Sequence, residues 1–81
     1  MTRDAVRARL AEILADLLDQ DEIILHDETV STDVEGWDST VQLQLLLSAE
    51  RAFGIQFDTE QMDDLVNVGA LVDGIMNIVN A

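Results

Sequence analysis

Few residues of this chain have side chains that could carry out a reaction. The sequence contains one histidine, His26, and no cysteine, so it has no thiol nucleophile and no thiolate metal ligand. Its carboxylates are scattered, as on a solvated surface, and Asp33-Val34-Glu35-Gly36 lacks the ligand spacing of an EF-hand loop. We therefore expect no catalytic residue and no dedicated metal site. Weak binding of divalent cations between Asp16 and Asp38 is an open alternative.

The most informative position is Ser39, which follows Gly36-Trp37-Asp38 at the start of a helical pattern. A serine at a helix N-terminus is exposed, and the helix dipole there favours an attached phosphate. Ser39 could therefore accept a phosphodiester-linked group from another enzyme, but it is a poor nucleophile by itself because no base is near it in the sequence. A structural interpretation is also open. Ser39-Thr40-Val41-Gln42 fits the S-x-x-Q capping box, in which the serine only caps the helix.

Helical periodicity accounts for the segments on either side of this position. A first amphipathic helix is predicted between residues 2 and 19, with Thr2 as its N-cap. A second helix is predicted over residues 39–53, and Gly54 is a typical residue to end it. The apolar arc of this second helix is so wide that we expect it to be the central helix of the fold. Its predicted core residues are Leu46, Leu47 and Phe53.

Two further helices are predicted in the last third of the chain. Asp58 can cap a short third helix, whose apolar residues are Met62, Leu65 and Val66. Asn67 can cap a fourth helix, which has one apolar face between residues 68 and 79. Gly69 and Gly74 lie inside that helix and weaken it by about 1 kcal/mol each relative to alanine.

Residues 20–37 show no clear period, and we expect them to form a long ordered loop pinned by Ile23, Ile24, Leu25 and Val30. A loop of this length in a small domain is often functional. The predicted fold is therefore all-α, a small four-helix bundle of three longer helices and one short helix, with a long ordered loop between helices one and two.

The composition limits the classes of partner. The chain has 81 residues, with 17 acids against four basic residues and a formal net charge of −13. Nothing here could replace the counterions around phosphates, so nucleic acid is not an expected partner. No apolar run is long enough for a membrane span, and the first residues do not resemble a signal peptide, so we expect a cytoplasmic protein. We expect a monomer whose partners carry basic patches.

The stretch from Asp33 to Phe57 resembles the acyl carrier proteins. It contains Gly-Trp-Asp-Ser, a leucine-rich helix and Glu-Arg-Ala-Phe-Gly-Ile at residues 50–55. The resemblance extends over nearly the whole chain and implies a single acyl-carrier-like domain, residues 1–81. In that family an Asp-Ser-Leu motif at the start of helix two carries a 4′-phosphopantetheine arm. By resemblance, Ser39 is the attachment point and Asp38 is the motif acid.

The resemblance also implies a function and a set of partners. A phosphopantetheinyl transferase, using magnesium and coenzyme A, would join the phosphate of the arm to the Ser39 hydroxyl. The arm would hold an acyl or aminoacyl group as a thioester and present it to acyl-loading and acyl-processing enzymes. The chain itself would be a substrate and a shuttle and not an enzyme. Trp37 is expected to pack as a lid over the loop instead of contacting the arm.

Two departures from the family pattern concern the partners. Thr40 replaces the leucine that usually follows the serine, and Glu50 is the only acid on the second helix after the motif. We therefore expect docking through basic or apolar patches of the partners, and a dedicated carrier in a specialised pathway that is polyketide-like or of another dedicated kind. For Val41 and Leu47 a place at the edge of the core is an equally good interpretation. The predicted interface consists of Thr40, Val41, Gln44, Leu47, Ser48 and Arg51.

Two alternatives belong to other functional classes. The first is an unmodified, acidic helical protein-interaction module of carrier-like fold, in which Ser39 is only a helix cap. The second is an acidic cation-binding domain. The first predicts no mass change with transferase and coenzyme A, and the second predicts stabilisation by calcium beyond that given by sodium at matched ionic strength.

Overall fold

The computed structural model describes residues 2–65 and 67–80, except for the side chains of residues 63 and 64. Within this part of the chain, all regular structure is helical and the loop after the first helix contains a single 3₁₀ turn, Ser31–Asp33. The helices are α1 (Arg3–Leu17), α2 (Ser39–Phe53), α3 (Thr59–Asp64) and α4 (Val68–Val79). The predicted bundle of three longer helices and one short helix is confirmed. Val66, predicted on the third helix, lies outside the described residues.

The core is centred on α1, which packs against both α2 and α4. The prediction that α2 is the central helix is therefore wrong, because α2 turns only part of its apolar arc inward. Leu46 is buried, but Phe53 is only half-buried and Leu47 is 43% exposed. The largest fully buried side chains come from α1, α2 and α4: Val6, Leu10, Leu14, Leu45, Val68, Val72 and Ile75.

The long loop is anchored by only part of the predicted set of apolar side chains. Leu25 is buried, Ile23 is half-buried, and Ile24 is 71% exposed, so Ile24 is not an anchor. Side chains that alternate in this way are typical of an extended segment. Further along the loop, backbone carbonyls of Asp27 and Thr29 accept hydrogen bonds from the first N–H groups of α4, at 2.8 and 2.9 Å. The loop therefore supplies partners for helix N–H groups that have none within the helix.

An ion-pair cluster joins the same loop to α1 and α4. The Asp27 carboxylate accepts from Arg3 at 3.0 Å and from Arg7 at 2.8 Å, and Arg3 also pairs with Asp73 on α4. Hydrogen bonds from Arg3 and then from Arg7 hold the pKa of Asp27 below its ordinary value. The hydrogen bond with Asp27 is also the main cause of the raised pKa of Arg7. These contacts fix the start of α1 against the loop.

Among the residues that the structure describes, no helix has both the length and the apolar character needed to cross a bilayer. The cytoplasmic compartment stays a prediction.

Candidate functional site

The candidate site lies at the N-terminus of α2, where the loop enters the helix. The N-cap is Asp38, with extended backbone angles, and its carboxylate accepts from the Val41 N–H at 2.9 Å. Ser39 is therefore the first residue inside the helix, one position after the cap, and it is exposed. The alternative interpretation, a capping box at Ser39 and Gln42, is wrong, because Asp38 is the N-cap and Ser39 already lies inside the helix.

Gln42 has a different role from the one its position in the sequence suggested. Its side-chain oxygen accepts from the indole Nε1–H of Trp37 at 2.7 Å. Trp37 is 8% exposed, so its ring packs into the core while its polar edge is bound to the first turn of α2. Gly36 comes before it with φ at +89°, a backbone conformation that favours glycine. The turn, the indole and the cap together fix the position of Ser39.

The chemistry available at Ser39 is that of an acceptor. The first N–H groups of a helix have no partner within the helix and carry a partial positive charge, so this end of α2 favours a phosphate. Within residues 2–65 and 67–80, no base is hydrogen-bonded to the Ser39 hydroxyl, and no group of three metal-binding side chains is present. His26 is exposed in the loop.

The predicted interface residues separate into two groups in the structure. Thr40, Gln44, Leu47 and Arg51 are exposed along one side of α2. Val41 and Ser48 are half-buried, and Val41 packs against the core, so these two lie at the edge of that side. Leu43, another apolar residue of α2, is 52% exposed. Its exposure depends on where the neighbouring helices lie, and the periodicity of one helix does not contain that information.

An open pocket of about 260 Å³ lies beside the site. The side chains of Trp37 and Gln42, both close to Ser39, form part of its wall, and the rest comes from the loop, α3 and α4. Sequence reasoning missed this pocket, because its walls are brought together only by tertiary packing. The other lining residues are Ser31, Met62, Leu65, Asn67 and Leu71.

Comparison with known proteins places this geometry in a family. A family model described as a phosphopantetheine attachment site matches residues 8–75. The chain is also similar to the solution NMR structure of the holo acyl carrier protein from Geobacter metallireducens, with a TM-score of 0.82 and 33% sequence identity. That similarity covers 98% of this chain and 86% of the other.

The helical bundle and the family match define a carrier of a covalently attached prosthetic group. The chain belongs to the acyl carrier protein family, and its prosthetic group is 4′-phosphopantetheine. The described residues fit that group at the start of α2. Ser39 is exposed there, the helix dipole favours a phosphate, and the carboxylate of Asp38 is occupied by the Val41 N–H.

Proposed function

We propose that residues 1–81 form one carrier domain in which the Ser39 hydroxyl holds the phosphopantetheine arm. The observation that supports this proposal is the division of roles at the start of α2. Asp38 caps the helix, so Ser39 has no capping role and its exposed hydroxyl is free to be esterified. The resulting phosphodiester would lie against the positive end of the helix dipole.

In this proposal the chain is the substrate of one enzyme and the shuttle for several others. A phosphopantetheinyl transferase supplies the base and the metal ion that are not found around Ser39 in the described structure. The arm supplies a thiol, which the chain lacks because it has no cysteine, and this thiol holds an acyl or aminoacyl group as a thioester. Acyl-loading and acyl-processing enzymes then act on that group, and the chain itself catalyses nothing.

The pocket beside Trp37 gives the cargo a place on the carrier. Its volume of about 260 Å³ suits a short acyl chain, and its lining combines apolar side chains of Met62, Leu65 and Leu71 with a few polar groups. The pocket is adjacent to Gln42, one turn from the attachment point. A short apolar cargo that lies in this open pocket would bury part of its surface between encounters with enzymes.

The exposed side of α2 is the proposed docking surface, because every enzyme that acts on the arm must approach Ser39. It consists of Thr40, Gln44, Leu47 and Arg51, with Val41 and Ser48 at its edge. Thr40 adjoins Ser39 in place of a large apolar side chain. Together with the scarcity of acids on α2, this supports a dedicated carrier in a specialised pathway, polyketide-like or of another dedicated kind.

The proposal is tested by the intact mass of the protein after incubation with coenzyme A, magnesium and a broad-specificity phosphopantetheinyl transferase. We expect a single phosphopantetheine adduct on the wild type and none on Ser39→Ala. The matched control is Thr40→Ala, which removes the neighbouring hydroxyl and should still be modified. An adduct that persists in Ser39→Ala would contradict the proposed attachment site.

The alternative function is an unmodified helical interaction module. It predicted that Ser39 caps α2, whereas Asp38 is the cap. It would be favoured if the folded wild type gained no mass with two unrelated transferases. The cation-binding alternative has no support from the geometry, because the described residues contain no cluster of three metal-binding side chains.

A further inference from the structure

The exposed side of α2 carries more apolar surface than a helix facing water requires. Leu43 and Leu47 are 52% and 43% exposed, and they are four residues apart, so they lie next to each other on the helix. Only one other large hydrophobic side chain of the described residues, Ile24 in the loop, is exposed in this way. The two leucines form an apolar patch between Thr40 and Arg51, which we call the leucine patch.

The exposed charge at one end of the leucine patch is positive, whereas the molecule as a whole is strongly acidic. Glu50 is the only acid within α2, and its carboxylate is engaged, accepting from the Phe57 N–H at 2.8 Å. Arg51, one residue further, is exposed. Among the described residues, the other three arginines lie in ion pairs and Arg51 does not. A protein with a net charge of −13 therefore presents an unpaired cation at one end of its apolar patch.

We propose that the enzyme surface that receives α2 is apolar opposite Leu43 and Leu47 and presents a carboxylate to Arg51. This inference rests on the proposed function, because it assumes that enzymes approach Ser39 along α2. A basic docking surface would place like charges next to each other at Arg51, which is unfavourable. The acids elsewhere on the carrier still attract basic regions of a partner at long range, so encounter and final docking use different charges.

The leucine patch is not suited to a second copy of this chain. The α2 surface of a second copy offers no free carboxylate to Arg51, because Glu50, the only acid within α2, accepts from the Phe57 N–H. Two copies would also bring together two net charges of −13, and their repulsion opposes association. The occupant is therefore a partner enzyme of complementary chemistry.

The distance between Ser39 and Arg51 allows one enzyme to contact both. Twelve residues of helix span about 18 Å. A standard interface covers about 800 Å² on each partner, which is roughly 30 Å across. An enzyme that reaches Ser39 and lies along α2 therefore also covers the leucine patch and Arg51.

The test uses two purified phosphopantetheinyl transferases as probes. One has a basic carrier-docking surface, and the other has an apolar docking surface that carries carboxylates. The measured quantity is kcat/KM for modification of the wild type, Arg51→Gln, Leu47→Gln and a control, Asn77→Asp. Arg51→Gln and Asn77→Asp each change the net charge from −13 to −14, and Asn77 is exposed on α4, away from Ser39 in the sequence. Thermal melting shows that each variant is folded.

We expect Arg51→Gln to raise kcat/KM about 2- to 5-fold with the basic transferase and to lower it about 2- to 5-fold with the carboxylate-bearing one. Both changes should disappear near 0.5 M salt, where the Debye length is about 4 Å. Leu47→Gln should lower kcat/KM with the second transferase at every salt concentration. Asn77→Asp should have less effect than Arg51→Gln in each case.

Three results would overturn the proposal. The kcat/KM of Arg51→Gln could equal that of Asn77→Asp with both transferases, which would show that only the net charge of the carrier affects modification. Light scattering could show that the wild type is a dimer that Leu43→Gln dissociates, which would make a second copy the occupant. If neither transferase modifies the folded wild type, the proposed function fails and this inference fails with it, whereas a modified protein that is indifferent to Arg51 refutes the inference alone.

Discussion

Replacing Gly69 with alanine tests the contact between the long loop and the start of α4. Gly69 is buried, and its N–H donates to the Asp27 carbonyl at 2.8 Å, while the Val68 N–H donates to the Thr29 carbonyl at 2.9 Å. An alanine Cβ at this position would lie 3.0 Å from the Asp27 carbonyl oxygen and 3.2 Å from the Asp27 Cβ. The neighbouring atoms include backbone that two hydrogen bonds and an ion-pair cluster hold in place. The loop must therefore shift to admit the methyl group.

The magnitude follows from two opposing contributions. A shift of the loop weakens two backbone hydrogen bonds, each of which contributes about 1 kcal/mol to stability. Alanine has an intrinsic advantage over glycine of up to about 1 kcal/mol inside a helix, and less of it is available at the second position of α4. We therefore expect Gly69→Ala to lower the free energy of unfolding by about 1–2 kcal/mol.

Gly74→Ala is the matched control, because it makes the same change in the same helix. The new Cβ would meet Leu65 Cδ2 at 3.2 Å, and this atom is the far end of a side chain that can rotate away. Here the helix propensity should dominate and stabilise the fold by about 0.5–1 kcal/mol. The sequence alone assigned these two glycines the same cost, whereas the structure predicts opposite signs for their replacement.

Urea unfolding followed by circular dichroism and by Trp37 fluorescence measures both variants. A difference of about 2 kcal/mol between them should also separate their melting temperatures by roughly 10 °C in a domain of this size. If Gly69→Ala is as stable as Gly74→Ala, the loop is not held closely against α4. The conclusion that the Asp27 backbone lies too close to Gly69 to admit a methyl group would then be wrong.

Three further predictions concern the core, the cap and the ion pairs. Leu46 is 4% exposed, so Leu46→Ala should lower the free energy of unfolding by about 2–5 kcal/mol. Leu47 is 43% exposed, so Leu47→Ala should change it by about 0.5 kcal/mol or less. Urea unfolding measures both changes. Asp38→Ala should lower the melting temperature by the equivalent of about 1 kcal/mol while Ser39→Ala has little effect, and the reverse order would make Ser39 the cap. The pKa of Asp27 is lowered on folding, so its ion pairs stabilise the fold above the ordinary value of 3.8 and this contribution is lost as the pH falls through the lower folded pKa. Melting curves of wild type and Asp27→Asn should therefore differ at neutral pH and converge in acid.

The features that depend on local sequence were predictable. Four helices, the short third helix and the end of α2 at Gly54 follow from periodicity and from turn and cap residues within a few positions. The position of Ser39 at the start of α2 was also predictable from the local sequence. The cap was misplaced by one residue, because Asp38 and Ser39 are both good N-caps and the choice depends on the turn at Gly36.

The features that depend on neighbouring elements were not predictable. The apolar arc of α2 indicated burial on most sides, but α1, the helix that packs against it, covers only part of the arc, and Leu43 and Leu47 lie in solvent. A sequence pattern shows that a side chain is apolar and does not show whether its partner is the same chain or another protein. The hydrogen bond from Trp37 to Gln42 and the ion-pair cluster around Asp27 could not be predicted either, because they depend on how separate elements pack together.

The central claim is that the Ser39 hydroxyl, and no other, carries the phosphopantetheine arm. The most direct test is fragmentation mass spectrometry of peptides from the transferase-modified wild type, which contains both Ser39 and Thr40 as exposed hydroxyls at the start of α2. We expect every modified fragment to include Ser39 and the modification to be absent from Thr40. A modification found on Thr40, or on another hydroxyl while Ser39 is unmodified, would contradict the proposed site.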